Sequence, residues 1–352
     1  MIINKKLENM GINVKGRVED STVEAIAKDI TKKIKLQFPD DDLNYLDIYE
    51  KIVRTPMYYA IITDGLSKAN YYYKNSSLYF DESKEISDIE EVIFHECIHI
   101  IQEYKDKKGK LVRIGLCEVN EITIKAMALN EGAVQYVVTN ALHLQDKELT
   151  VYGIVINGKS NYYPLITNII NQLAFLLGER ILVDSTLNSN ENFKIEIIDN
   201  IGEGAYNLIE KNTNEILKIK NDILEMQKNV NLEEIEYQEK LKEYTLEIQK
   251  LYLDTQNAIY MGYFNNIFKR AENVDDVNEI KTTLNKYSNL IGRTNDYNEF
   301  DIFYKSYIDK ANSKIDDFMN RKSLVVFGDN FIVRLFRKIK KLFTNSQSEY
   351  YK

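Results

Sequence analysis

An α+β fold, in which a small sheet packs on helices and an all-helical extension follows, is predicted by three features of the sequence. Two short segments between residues 57 and 80 are rich in Tyr and Ile and read as strands, while the segments around them carry helical patterns. The only three prolines are Pro39, Pro56 and Pro164, so no proline breaks the pattern in the second half of the chain. From Tyr206 onward the apolar residues fall into heptad spacing. At 352 residues the chain can bury a sizeable core, and the change of pattern divides it near residue 200. The expected domains are a mixed domain at 1–200, a helical bundle or hairpin at 201–322 and a basic amphipathic tail at 323–352.

The elements follow in order. Residues 20–38 place Val23, Ile26, Ala27, Ile30, Ile34 and Leu36 on one side of an amphipathic helix. Tyr45–Val53 fits either a short helix or a strand. Met57–Thr63 and Asn70–Phe80 read as strands, and Lys74-Asn75-Ser76-Ser77 supplies a turn within the second. Ser87–Tyr104 reads as a helix, capped by a box of Ser87 with Glu90 and carrying Ile89, Val92, Ile93, Ile100 and Ile101 on an apolar face. After a charged loop at 105–110, a helix is expected through the 120s to Leu142. Asn157-Gly158 suits the type I′ turn of a hairpin spanning 150–163, and Pro164–Leu182 reads as a core helix. Beyond Tyr206, two heptad segments joined near 229–232 predict an antiparallel helical hairpin. Helices at 275–291 and 297–320 follow.

Composition narrows the function. A net charge of −8 argues against a general nucleic-acid binder. Cys97 and Cys117 are the only cysteines, too few for a disulfide framework, so a reducing compartment is the default expectation. The N-terminal residues carry no signal-peptide pattern, and no window has the length of an uncharged membrane span. A cytoplasmic protein is expected, with one qualification at its C-terminus. Phe331, Ile332, Leu335, Phe336, Ile339, Leu342 and Phe343 share a helical face, Arg and Lys fill the remainder, and residues 330–343 contain no acid. That pattern fits peripheral binding to an anionic membrane surface, and equally a terminal helix docked on an acidic face of its own bundle.

The chemistry lies in His95-Glu96-Cys97-Ile98-His99. Residues four apart on a helix lie one above the other, so His95 and His99 can grip one metal ion. Glu96 stands beside them as the general base for a metal-bound water, and zinc is the expected ion. Catalytic zinc takes three protein ligands and keeps a position for water. The third histidine, His143, follows a helix end in polar surroundings and reads as a surface residue. Cys97 points away from the imidazoles, and Cys117 reads as a small buried hydrophobe. Carboxylates are better candidates, with Glu118, Glu121 and Glu131 in range.

Ala128–Val137 reads Ala-Leu-Asn-Glu-Gly-Ala-Val-Gln-Tyr-Val, and here the chain resembles the gluzincins, the thermolysin-like superfamily of zinc metallopeptidases. The resemblance covers residues 55–180. It implies a zincin-like domain in which a second helix supplies the third ligand from an Asn-Glu element, matched by Asn130-Glu131. Gln135 stands where the family has an Asp that orients a zinc histidine, and could still accept a hydrogen bond. The strand at Leu78–Phe80 takes the place of the family's cleft-bordering strand. Spacing from His99 favours Glu118 as the ligand, while the Asn-Glu-Gly sequence favours Glu131. Glu131 is preferred, with Glu118 as the alternative. The family stabilises its oxyanion with a Tyr, His or Arg, and Tyr162 and Tyr163 are the candidates here. The expected activity is hydrolysis of peptide bonds in a peptide or protein substrate. The alternative is a non-catalytic zincin-fold interaction protein acting through its C-terminal helices and basic tail.

Overall fold

The computed structural model describes residues 2–39, 43–120, 124–228, 234–294 and 299–320. The tail at 323–352, with its basic face at 330–343, lies outside the described residues, as does Glu121. The fold is α+β and largely helical, with small sheets. Two compact units result, Met1–Tyr263 with Asn289–Tyr297, and Phe264–Ser288 with Asn298–Lys352.

In the first unit, α1 (Ile2–Asn9) leads into β1 (Ile12–Arg17), followed by α2 (Asp20–Gln37) and α3 (Tyr45–Arg54). Helix α2 buries Val23, Ile26, Ala27, Ile30 and Ile34 as its spacing requires, whereas Leu36, near its C-terminal end, is exposed. Residues 45–54, ambiguous by pattern, are helical, and the Asn44 side chain caps them by accepting from the Asp47 N–H. Strands β2 (Met57–Ile62), β3 (Ala69–Tyr72) and β4 (Ser77–Asp81) join β1 in a sheet of order β1-β2-β4-β3. β3 and β4 form the expected hairpin, and β4 runs parallel to β2. Strand β4 lies inside the sheet and is buried throughout, so β3, and not Leu78–Phe80, is the edge strand.

The core gathers Ile30, Ile52, Phe80, Ile93, Ile98 and Val134 from the helices and the sheet. Burying each such side chain contributes about 1.5–3 kcal/mol. Helix α4, which carries His95, Glu96 and His99, runs from Glu90 to Gln102. Its start corrects the expected capping box. Residues Ile86–Ile89 wind as a 3-10 turn, the Ile89 cap receives no side-chain bond, and Glu90 pairs with Lys33 of α2. The chain then extends instead of continuing helical to Tyr104. β5 (Glu103–Lys105), β6 (Leu111–Ile114), β7 (Cys117–Val119) and β8 (Ile124–Lys125) form a second small sheet. Helix α5 therefore starts only at Met127 and runs to Ala141.

A hairpin of β9 (Lys147–Val151) and β10 (Ile154–Gly158) follows, but its turn is Tyr152-Gly153, with φ of 49° and 74°. Two positive φ values are what a type I′ turn requires. Asn157-Gly158, the expected turn, pairs within β10 opposite Glu148 and Lys147. The single apolar helix expected at 164–182 is two, α6 (Pro164–Leu177) and α7 (Glu179–Asn188), parted at Gly178, whose φ of 108° suits glycine. After α8 (Asn192–Asn200) come α9 (Glu203–Lys228) and α10 (Glu234–Arg270). Asn212 Nδ2 donates to the Leu251 carbonyl at 3.3 Å, and Gln227 Nε2 to the Tyr237 hydroxyl at 3.4 Å. The ascending and descending numbers mark an antiparallel pair, as heptad spacing predicts. Helix α9 packs on α5 and α8, so it and most of α10 group with the preceding residues instead of starting a unit near residue 200.

The second unit takes up the end of α10, α11 (Val274–Tyr287) and a helix α12 at residues 299–320. Asn273 and Asp276 form a complete capping box on α11. Phe264, Tyr287, Phe300 and Tyr307 fill its interior, and the Tyr307 hydroxyl donates to the Phe264 carbonyl at 2.6 Å. Among the described residues, no helix is long and apolar enough to cross a membrane.

Candidate metal centre

Helices α4 and α5 pack against each other and bring one ligand set together. His95, His99 and Glu131 each offer an atom within 4.8 Å of the others. His95 Nε2 lies 3.1 Å from Glu131 Oε2, and His99 Nε2 lies 3.2 Å from His95 Nε2 and 3.6 Å from Glu131 Oε1. Ligands at the roughly 2.0–2.1 Å bond lengths of tetrahedral zinc stand about 3.3 Å apart, so the two nitrogens and the carboxylate fit around one such ion. Glu118 is held elsewhere. It lies on β7, where its carboxylate takes Lys194 Nζ at 2.6 Å and faces Arg113 at 3.7 Å. The Lys194 hydrogen bond holds its carboxyl below the usual range. His143 is exposed just past the end of α5, and Cys97 and Cys117 are buried free thiols.

The Asn-Glu-Gly element has a packing reason. A Cβ on Gly132 would meet Ile166 Cγ2 at 2.8 Å, so glycine lets α6 approach α5 beside Glu131.

Hydrogen bonds fix both imidazoles. His95 Nδ1 faces Gln135 Oε1 at 2.9 Å, and Gln135 Nε2 donates to Glu91 Oε1 at 2.7 Å. Glu91, which also takes the Ser160 hydroxyl, is acceptor-only when ionised, and this sets the Gln135 amide with its oxygen towards His95. On the other side, the Leu116 N–H donates to Asn130 Oδ1 at 2.9 Å. Gln102 Nε2 donates to the same oxygen and Gln102 Oε1 accepts from Asn130 Nδ2, both at 3.1 Å. Gln102 Oε1 then lies 3.2 Å from His99 Nδ1. Each neutral imidazole therefore carries its proton on Nδ1 and presents a bare Nε2 lone pair to the common centre. Two imidazole nitrogens and a carboxylate converge on one point, an arrangement that favours a positive charge there, carried by a metal ion or by a proton. The same field acts on His99, where burial opposes protonation but Glu131 and Glu96 prevail and hold it up at about 9. Burial also works against the Glu131 carboxylate, but the two histidines hold its carboxyl well below the ordinary range.

Glu96 stands beside this set. Its Oε2 accepts the Tyr71 N–H of the edge strand β3 at 2.9 Å. Burial pushes its carboxyl up, opposed by His99, His95 and that N–H. Of the two candidate tyrosines, the structure brings Tyr163 to the centre. Its ring stacks on His95 with centroids 5.8 Å apart, and burial, with the nearby Glu131 and Glu96 charges, pushes its phenol pKa up. Its backbone takes the left-handed conformation, with φ of 48°, where it precedes α6. Tyr162 is exposed, and its backbone N–H donates to Ser160 Oγ at 3.0 Å.

Sequence reasoning missed Gln102, Glu91 and Lys220. The first stands three residues after His99, one helical turn along, a legible signal for an orienting partner. No local signal marks Lys220. It arrives from α9, and its ammonium lies 4.1 Å from the centre of the Tyr163 ring. Burial lowers its pKa, partly offset by Glu131.

No protein-family model, curated protein or solved structure matches this chain.

Proposed function

We propose that this chain is a zinc-dependent peptidase with a gluzincin-type centre in a zincin-like domain. The observation that carries the reading is the convergence of the Nε2 atoms of His95 and His99 with the Glu131 carboxylate, each Nδ1 facing a glutamine oxygen. The ion itself is inferred from the donor set, since two imidazoles and one carboxylate are a catalytic-zinc combination. Zinc held there supplies Lewis acidity and brings the pKa of a coordinated water to about 7.

The remaining work falls to side chains. Glu96 Oε2 is anchored by Tyr71, which leaves Oε1 to take a proton from the attacking water and return it to the leaving amine. Burial raises the basicity of that carboxylate, the direction a general base needs. Tyr163 keeps its phenolic proton, because burial and the Glu131 and Glu96 charges push its pKa up. Its hydroxyl can therefore donate to the oxyanion of the tetrahedral intermediate.

Changing Glu96 to Gln tests the reading. The variant should keep its metal by elemental analysis and lose about 10²–10⁴-fold in peptide-bond hydrolysis. Equal rates for the two proteins overturn the mechanism. Zinc-replete protein that cleaves no member of a peptide library favours the non-catalytic alternative.

A further inference from the structure

Lys220 has no role in the chemistry above, yet it lies against Tyr163 at its edge. It belongs to α9, while the ligands and base come from α4 and α5. The side chain is half-buried, and its Nζ sits 4.1 Å from the centroid of the Tyr163 ring, whose neighbour is His95. Among the described residues it makes no ion pair or hydrogen bond, whereas the half-buried Lys159, Lys281 and Lys314 each donate to an amide or carbonyl oxygen and others pair with carboxylates. Lys33 pairs with Asp29 and Glu90, Lys68 with Asp64 and Asp81, and Lys194 with Glu118. A partly desolvated ammonium left without a carboxylate is costly, and a ring face compensates only part of that cost.

We propose that Lys220 is the anion-binding residue of this site and takes a carboxylate of the peptide substrate. The inference rests on the metal reading, because the metal centre defines where the substrate lies. Its position explains the missing partner. A carboxylate supplied by the protein would fill the site, whereas one supplied by the substrate pairs with the ammonium only during binding. Aromatic contact with Tyr163 holds the Lys220 head in place meanwhile, so little side-chain entropy is lost when the ligand arrives. Specificity follows, since a peptide offering an uncharged group there leaves the ammonium unpaired. A carboxylate at that place can be the C-terminus of a short peptide or the side chain of an acidic residue.

Three chelators with one metal-binding group separate these cases. They are the malonyl monohydroxamates of alanine, of alanine amide and of aspartate amide, each made with one residue and with an alanine spacer. Binding to zinc-loaded protein is measured by calorimetry for the native chain, K220M and K220R, with zinc content determined for each. The expected result is at least tenfold tighter binding of a carboxylate-bearing compound than of the alanine amide by the native chain. K220M should lose that preference while binding the amide unchanged, and K220R should keep most of it. Preference for the alanine compound assigns the C-terminus, and preference for the aspartate amide assigns the side chain. Equal binding of all three by the native chain, or a preference surviving in K220M, overturns the role of Lys220 while leaving the metal centre standing. Absence of zinc and of hydroxamate binding in the native chain overturns the metal reading and the proposal together.

Discussion

Replacing Gln135 with Met removes the group that orients His95 while nearly preserving volume. Gln135 is fully buried, and its Oε1 lies 2.9 Å from His95 Nδ1. Without that acceptor, the imidazole must either keep a buried Nδ1–H unpaired or move its proton to Nε2. An unpaired buried donor costs about 1–3 kcal/mol. The other tautomer gives Nε2 a proton to share with Glu131 at 3.1 Å and takes its lone pair out of the ligand set. Either route weakens the metal complex by that amount, which corresponds to roughly 5- to 150-fold in affinity at about 1.4 kcal/mol per decade. Loss of an outer hydrogen-bond partner of a zinc histidine elsewhere costs about 10–100-fold, in agreement. Competition for zinc against a fluorescent chelator measures the change, and circular dichroism confirms that the variant folds. A folded Q135M with native zinc affinity would refute the orienting role of Gln135 and the tautomer assignment of His95.

Other substitutions probe the site and its frame. E131A should bind less than one zinc per chain by elemental analysis, while E118A should bind as the native protein does, since Glu118 is engaged by Lys194 and Arg113. G115A should lose about 1–3 kcal/mol in urea unfolding, because a Cβ there would press on Asn130 Oδ1 and the Gln102 amide from a residue with φ of +54°. Its zinc affinity should fall too, as Gln102 is pushed from His99. Acid sensitivity gives a further check at Asp81, which is buried and paired with Lys68 at 2.9 Å. Burial opposes its ionisation, but Lys68 and Ser83 prevail and hold its carboxyl below the ordinary value. A depressed folded-state pKa contributes stability that is complete above the unfolded-state value of about 3.9 and is lost as the pH falls through the folded-state one. D81N should therefore be less stable than the native protein at neutral pH, with the difference shrinking below about pH 4 in urea titrations at stepped pH.

Local periodicity was enough to locate most helices and to set His95 and His99 on one face, because side chains three and four apart meet on any α-helix. It was enough, too, to read the β3–β4 hairpin and the antiparallel run of α9 and α10. Ends and turns were less legible, since each depends on distant partners. Lys33 draws Glu90 out of the expected capping box, and the pairing of β9 with β10 moves the turn from Asn157-Gly158 to Tyr152-Gly153. The grouping of α9 with earlier helices follows from the face that α5 offers it, which no window of sequence contains.

The centre divides in the same way. His95, Glu96 and His99 stand within five residues, so the sequence alone sets them on one turn of a helix. Between Glu118 and Glu131 spacing and local sequence disagreed, and the packing of α5 on α4 brought Glu131 to the histidines. Gln102 and Gln135 acquire their meaning from the amide orientations that Leu116 and Glu91 impose. Lys220 lies 89 positions beyond Glu131 along the chain and reaches Tyr163 only because α9 packs on α5. Side-chain identity and helical period are properties of a short segment, whereas electrostatic and hydrogen-bond partnership depends on distance in space, which the fold alone supplies.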